Sequence, residues 1–319
     1  MANYPKISII TPSYNQGEFL EKTILSVIGQ EYPNLEYIIV DGGSADNSVE
    51  IIKKYESKIT YWVSEKDKGT YDANNKALEK VTGDYWCVVN SDDLLLPNSL
   101  HTLGRYINEQ PKQKWFCGGV QYIDEHGIET GRELPKPNNP VAGFTFLRGT
   151  WVSHPTVFLH RDLITEVGSF HKWHLMDLNY WLRLEKAGYS PFIIPEYIAA
   201  LRLHSNCKSN DRIKLQGEYM KIYNTFVSEN NLSNHPDVKV SSKQLYIYNT
   251  KMENENYVVN RNEQPPANTL FKLLVKEPSV LTKKWYWGLV KRMLFGVHKN
   301  DPLLSLYDQK DNKSNWENK

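Results

Sequence analysis

The sequence is short of cysteine, of surplus charge and of long apolar runs, and each shortage removes a class of protein. Its three cysteines, Cys87, Cys117 and Cys207, are odd in number, far apart and without close pairs. Neither a disulfide scaffold nor a paired-cysteine zinc module is expected, and a reducing, cytoplasmic setting fits. Lysine and arginine number 38 against 37 aspartates and glutamates, so no broad positive field exists to hold nucleic acid. No run of 18 apolar residues occurs, and the first residues lack the basic, apolar and small-residue order of a signal peptide. Neither a membrane span nor secretion by that route is expected. Also missing are Gly-x-Gly-x-x-Gly and Gly-x-x-x-x-Gly-Lys-Ser/Thr, the phosphate cradles of dinucleotide and P-loop enzymes.

What is there is a folded chain: 40% hydrophobic, with 20 Tyr, 9 Trp and 10 Phe among 319 residues, enough to bury a substantial core. The first hundred residues alternate short β-branched or aromatic runs with amphipathic segments, the pattern of a mostly parallel sheet flanked by helices. Strands are expected at 6–10, 36–40, 59–63 and 85–89, and helices at 18–30, 47–55 and 71–81. In the first helix Leu20, Ile24, Val27 and Ile28 share one face. Each strand runs directly into a polar cluster: Thr11-Pro12-Ser13-Tyr14-Asn15, Asp41-Gly42-Gly43-Ser44, Ser64-Glu65-Lys66-Asp67-Lys68-Gly69 and Asn90-Ser91-Asp92-Asp93. Any one of them could be an ordinary turn. In a parallel sheet, however, the carboxyl ends of the strands share one edge, where ligands bind, so the four are expected to meet in space.

Beyond Trp115 the pattern turns mixed, with a hairpin expected around Asp124-Glu125-His126-Gly127, a proline-rich loop at 134–141 and a helix near 177–187. After Asn210 the strands stop, one helix is expected to about 227, and the polar, Asn-rich stretch 249–268 reads as a linker. From 268 to 299 seven lysines and arginines face the single acid Glu277 and interleave with apolar residues and Trp285-Tyr286-Trp287. That composition suits either peripheral contact with a membrane or a helix packed on the protein with a solvated basic face. The polar end, 308–319, is expected to fray.

Chemistry concentrates in the clusters. Asp92 and Asp93, adjacent at a strand end, repel unless a cation sits between them, and a hard divalent ion such as Mn²⁺ or Mg²⁺ suits them. Such an ion neutralises charge growing on a departing diphosphate; the alternative is an Asx turn capping a helix. Asp41 ends a strand before Gly42 and Gly43, glycines that let backbone approach a ligand closely, so its carboxylate can accept from a base or a ribose.

Taken in order, these motifs, with Asp67-Lys68-Gly69-Thr70-Tyr71-Asp72-Ala73-Asn74-Asn75-Lys76, Gly83-Asp84-Tyr85 and the later Tyr180-Trp181-Leu182-Arg183-Leu184, resemble the inverting family-2 glycosyltransferases of GT-A fold, bacterial polysaccharide enzymes especially. The resemblance spans roughly residues 5–207. It implies a GT-A catalytic domain at 1–210, a Rossmann-like α/β unit with a mostly parallel central sheet, followed by a C-terminal helical extension at 211–319. By that resemblance Thr11, Pro12, Ser13, Asn15, Asp41, Gly43 and Asp67 hold the nucleoside. Lys68, Gly69, Asp72 and Asn75 line the donor pocket, with Asn90, Ser91 and Asp92 beside the ribose. Asp93, with Asp92 and His204, holds the cation. Asn90 stands where the family often has the first acid of its Asp-x-Asp signature.

Asp177, at the start of the acceptor-side helix, is expected to be the general base, because an acceptor hydroxyl must lose its proton as it attacks the anomeric carbon. Its alternative is a first-turn acid favoured by the helix dipole, and Met176 replaces the family's usual preceding Glu. His154, Trp151, His171, Trp173 and His174 could face an acceptor sugar, or be half-buried core rings. The implied reaction is single displacement with inversion, from a nucleotide-diphosphate sugar, UDP by resemblance, to a saccharide or lipid-linked saccharide at the inner face of the cell membrane. The rivals are a nucleotidyltransferase, disfavoured because 11–17 carries no arginine, and a non-catalytic sugar-nucleotide or glycan-binding module.

Overall fold

A computed structural model describes residues 4–138, 142–205, 207, 212–259, 267–276 and 278–295. The chain divides into two compact units, Met1–Asn231 and Leu232–Lys319. The first opens with strict alternation: β1 (Ile7–Ser13), α1 (Gly17–Ile28), β2 (Leu35–Asp41), α2 (Ser48–Lys54), β3 (Tyr61–Ser64), α3 (Thr70–Leu78) and β4 (Tyr85–Val88). It continues through β5 (Leu94–Leu95), α4 (Ser99–Glu109), β6 (Trp115–Ile123), β7 (Glu129–Glu133), β8 (Val157–His160), α5 (Asp162–Glu166), α6 (Met176–Lys186), β9 (Phe192–Arg202) and α7 (Arg212–Glu229).

Among the described residues nine strands form one sheet in the order β3-β2-β1-β4-β8-β6-β9-β5, with β7 paired to β6. The first four strands are all parallel to one another, and β9 lies parallel to β6. β8 runs antiparallel between β4 and β6. Every residue of β1 is buried, as a central parallel strand covered on both faces requires. The apolar face of α1, Leu20, Ile24 and Val27, packs into one core with Ile7, Ile9, Tyr37 and Ile39 of the sheet, which is why the 3.6-residue spacing of that segment was legible.

One acid is buried on the other face of the sheet from this core. Glu36 of β2 accepts from the Ser8 hydroxyl at 2.6 Å, the Lys6 ammonium at 2.8 Å and the Thr82 backbone N–H at 2.8 Å, and also from the Thr82 hydroxyl. Burial works against its charge, but these donors outweigh it and hold its pKa down at about 2. Glu36 thereby ties β1 and β2 to the turn that leads into β4.

The expected hairpin is β6–β7. Its turn is closed by Asp124, whose carboxylate accepts the N–H groups of His126 and Ile128 at 2.9 and 2.8 Å, with Gly127 at φ +90°. Three expectations need adjusting. β1 runs on to Ser13, so the first polar cluster begins inside the strand instead of after it. The helix expected beyond 210 is α7, which belongs to the first unit; its Tyr219 hydroxyl donates to the Leu147 carbonyl at 2.7 Å. The stretch read as a linker is helical for most of its described length. α8 (Pro236–Val259) extends into it as far as Val259, and α9 (Ala267–Lys276) begins before its end. Lysine, methionine and glutamate among its asparagines are good helix formers, and that outweighs the mild cost of asparagine. Residues 260–266 of that stretch, 139–141 of the proline-rich loop and the polar end at 308–319 lie outside the described residues.

The described residues of the second unit form α8, α9, a 3₁₀ turn at Pro278–Thr282 and α10 (Lys284–Phe295). Its own small core is Leu273, Val280, Tyr286 and Leu289. Of the ring triplet, Tyr286 is buried there, Trp285 is half-buried and Trp287 is exposed. Phe271, Val275 and Leu281 are also exposed, as are Lys272, Lys283 and Lys291. Among the described residues no helix is long and apolar enough to cross a membrane.

Candidate active site

Parallel pairing sets the register that assembles the site. Ser13 lies opposite Asp41, and Asp41 opposite Ser64, so three of the four clusters begin side by side on the sheet's carboxyl edge. Backbone bonds carry the pairing into the loops: Gly42 N–H donates to Ser13 O at 2.8 Å and Glu65 N–H to Asp41 O at 3.0 Å. Asp41 is fully buried. Its carboxylate accepts from the N–H groups of Gly43 and Ser44 at 3.1 and 2.9 Å, and from the hydroxyls of Ser44 and Ser64 at 2.5 and 2.7 Å. It therefore organises the second loop while standing at the edge. Asn15, at φ +51°, joins the first loop to the second. Its side-chain oxygen accepts from Ala45 N–H at 2.8 Å, and its own N–H donates to the Ser44 hydroxyl at 2.8 Å.

A side chain at position 42 would stand 2.6 Å from the Asp67 carboxylate; glycine there lets Asp67 close on the second loop. Gly43, at φ +81°, has the left-handed backbone that glycine adopts without strain. Asp67 accepts from Gly69 N–H at 2.8 Å, and Asp72, in the first turn of α3, accepts from Lys68 N–H at 3.1 Å. Thr11 and Asn75 are differently engaged. The Thr11 hydroxyl, fully buried, lies 3.2 Å from that of Tyr37 within the sheet; the Asn75 amide donates to the Phe170 carbonyl at 2.8 Å and accepts from the Phe170 N–H at 2.9 Å. Pro12 is buried in β1 opposite Val40. The Ser13 hydroxyl is buried without a hydrogen-bond partner, a group that a ligand at this edge could satisfy.

The fourth cluster splits its two acids. Asp93 is turned inward: one carboxylate oxygen accepts from the Asn90 amide at 3.1 Å, the other from the backbone N–H of Arg202 at 3.1 Å. Burial, reinforced by the negative charge of Asp92, raises its pKa well above the usual carboxylate range. The backbone carbonyls of Ser91 and Asp93 accept from the Thr23 hydroxyl at 2.9 and 2.8 Å, which fixes the loop against α1. Asp92 remains half-buried and meets His204, with Oδ2 3.2 Å from Nε2. So of the two acids expected to hold the ion with His204, Asp93 is committed to the end of β9 and Asp92 takes the position beside the histidine.

Arg202 brings the two segments together. Almost wholly buried, it donates from Nε to Asp92 O at 3.0 Å and from a terminal nitrogen to Asp124 O and Glu125 O at 2.9 and 3.2 Å. Its guanidinium covers the Phe19 ring, on which the His204 imidazole also packs at 4.8 Å. The Cys207 sulfur completes a group with Asp92 and His204 in which every donor atom lies within 4.8 Å of the others. Carboxylate oxygen, imidazole nitrogen and sulfur converging on one point suit a divalent ion, whose ligands stand ~3–4 Å apart when each is ~2.0–2.3 Å from the metal.

The residues expected on the acceptor side adjoin the third cluster. Met176, first residue of α6, receives the Asn74 amide at its sulfur at 3.7 Å, and Asn75 holds Phe170 as described. Asp177 sits in the first turn of α6, half-buried, accepting from Leu178 N–H at 2.9 Å. It lies near enough to His154 to favour that ring's protonated form, although burial dominates and lowers the His154 pKa. His154 Nε2 and Asn74 Oδ1 are both buried without a hydrogen-bond partner. Trp151 is half-buried, stacked on Phe146 at 5.0 Å and donating to the Thr145 hydroxyl at 2.8 Å.

Sequence reasoning missed Arg202, Cys207, Asn74 and the hydroxyls of Ser44 and Ser64. His204-x-x-Cys207 is a metal-ligand spacing that could have drawn attention to the sulfur; the others depend on contacts between distant segments.

Three comparisons bear on this arrangement. The model of glycosyl transferase family 2 matches residues 8–168. Over 227 residues the chain is 29% identical to TuaG of Bacillus subtilis, named as a teichuronic acid biosynthesis glycosyltransferase, covering 70% of this chain and 89% of that one. It spans about half the length of two glycosyltransferases from Rickettsia. Among solved structures, residues 1–349 of Staphylococcus aureus TarS in complex with UDP-GlcNAc superpose with a TM-score of 0.59 at 15% identity, covering 95% of this chain and 92% of that one. The mannosyltransferase PcManGT of Pyrobaculum calidifontis, in complex with GDP-Man and Mn²⁺, gives 0.57 at 16% identity over 93% and 89%. The two share this fold.

Proposed function

The chain belongs to glycosyl transferase family 2, and from that premise we propose that it moves a sugar from a nucleoside-diphosphate donor, a UDP-sugar, to a hydroxyl of a saccharide or lipid-linked saccharide in bacterial surface polysaccharide synthesis. The observation that carries the reading is the meeting of strand-end clusters on one sheet edge, with Asp41, Asp67 and the Ser13 hydroxyl together and Asp92 beside His204. The UDP-GlcNAc complex of TarS and the role named for TuaG support the choice of donor and pathway. The catalytic domain would be residues 1–210 with α7 packed onto it, and the remainder a C-terminal extension.

In this mechanism Ser13, Asn15, Asp41, Gly43 and Asp67 receive the nucleoside, and Lys68, Gly69, Asp72 and Asn75 line or brace the donor pocket. Asn90 and Ser91 form the loop that holds Asp92 next to the ribose. A divalent ion held by Asp92 and His204 would supply the charge that neutralises the leaving diphosphate, and the Mn²⁺ in PcManGT supports a cation of that kind. Asp93 keeps His204 within reach of Asp92 through Arg202. Asp177 takes the proton of the acceptor hydroxyl as that oxygen attacks the anomeric carbon from the face opposite the diphosphate, giving inversion.

Replacing Asp177 by Asn removes the base and preserves shape. Transfer is expected to fall by roughly 10²–10⁴, with donor affinity measured by calorimetry little changed. Near-normal turnover would exclude Asp177 from the chemistry, and a wild-type protein that binds donor yet never releases diphosphate would favour a binding module. The exposed Phe271, Leu281 and Trp287 with Lys272, Lys283 and Lys291 support peripheral contact of 268–299 with the inner face of a membrane, where a lipid-linked acceptor would be presented.

A further inference from the structure

Two of the three cysteines are sealed in the sheet, but Cys207 stands beyond the end of β9, three residues after His204. The carboxylate and imidazole at 3.2 Å already have the separation of two ligands on one ion. With all three donor atoms within 4.8 Å of one another, the sulfur stands beside the same centre. Two hydrogen bonds hold the thiol beside the other two groups. The His204 backbone N–H donates to it at 3.2 Å, an outer-sphere bond of the kind that steadies a metal-bound sulfur, and its own proton points to the Arg202 carbonyl at 3.4 Å.

We propose that Cys207 is the third protein ligand of the cation at this site, and that its sulfur makes the site select a thiophilic divalent ion of the zinc or cobalt class over Mg²⁺. Binding exchanges one proton for one bond: the thiol S–H breaks, its proton passes to solvent, and the sulfur electron pair forms the metal–sulfur bond, with no change of oxidation state. Mg²⁺ takes oxygen ligands almost exclusively, whereas Zn²⁺ and Co²⁺ accept carboxylate, imidazole and thiolate together. Three protein ligands leave a tetrahedral ion one position for an outside oxygen. That position would face the donor diphosphate, and this last point rests on the proposed cation-assisted transfer.

The test is optical and needs no turnover. Full-length protein, stripped of metal, is titrated with Co²⁺, and the near-ultraviolet sulfur-to-cobalt charge-transfer band is recorded with the visible bands. Wild type is expected to show the band. Cys207→Ser should lose it, keep its circular dichroism, and bind Zn²⁺ roughly ten- to hundredfold more weakly with its Mg²⁺ response unaltered. Cys207→Asp, which restores an anionic ligand without sulfur, should recover binding but not the band. Wild-type protein that binds Co²⁺ with no sulfur band, or a Cys207→Ser spectrum equal to wild type, would overturn the sulfur ligand and leave the cation reading intact. Failure of wild type to bind any of Co²⁺, Zn²⁺ or Mn²⁺ would remove both.

Discussion

Two neighbouring aspartates at the end of β4 have opposite duties. Asp92 is half-buried beside His204, while Asp93 is almost wholly buried and satisfies the backbone N–H of Arg202. Replacing Asp92 by Asn is expected to raise the cation concentration needed for half-maximal transfer by roughly tenfold or more and to leave the melting temperature near wild type. Replacing Asp93 by Ala strands a buried donor, a cost of about 1–3 kcal/mol, and is expected to lower the melting temperature. Cation titrations and thermal melts of the two variants separate the roles; the reverse pattern would contradict the geometry. The sequence alone could say that an acid pair caps β4. It could not say which acid meets the histidine, because that depends on Arg202, more than a hundred residues later. Asp41 was legible as an edge carboxylate for a simpler reason: the strand before it and the glycines after it are local signals. Its four hydrogen bonds, three from the second loop and one from Ser64 of β3, were not, since Ser64 reaches it only through strand pairing.

At the scale of elements, the parallel strands announced themselves through continuous β-branched runs and the helices between them through one-sided apolar spacing. The polar stretch at 249–259 was misread because composition distinguishes a solvated helix from a linker poorly, and α8 carries few of the periodic apolar positions that would mark it. Glu36 joins three segments of the sheet and gives it a pH signature. Its folded pKa of about 2 lies below the ordinary 4.5, so its stabilisation is full above pH ~4.5 and is lost as pH falls through ~2. Glu36→Gln is expected to be less stable at neutral pH, by about 2 kcal/mol, with a flatter fall in stability between pH 5 and 2. Urea melts across that range measure it, and an unchanged slope would exclude Glu36 as the source. The exposed rings and lysines of α9 and α10 make a separate claim. Full-length protein should float with vesicles containing anionic lipid and less with neutral ones, and Trp287→Ala with Lys283→Glu and Lys291→Glu should lose flotation. Equal flotation of the variant would leave this unit without a membrane role.

Over the whole molecule, the site exists because one edge of a sheet collects loops separated by ~25 residues each, and because β9 then returns beside β6 to deliver Arg202 and His204 to the same loops. The first half of that statement follows from βα alternation and was readable in the sequence; the return of β9 is a matter of topology that no local pattern encodes. The most direct measurement is calorimetric titration of the full chain with UDP, GDP and their sugar conjugates, with divalent cation and again with EDTA. The account predicts saturable, single-site binding of a nucleoside diphosphate, UDP first, that weakens roughly tenfold or more when the cation is removed. A folded protein that binds none of these nucleotides under either condition would contradict it.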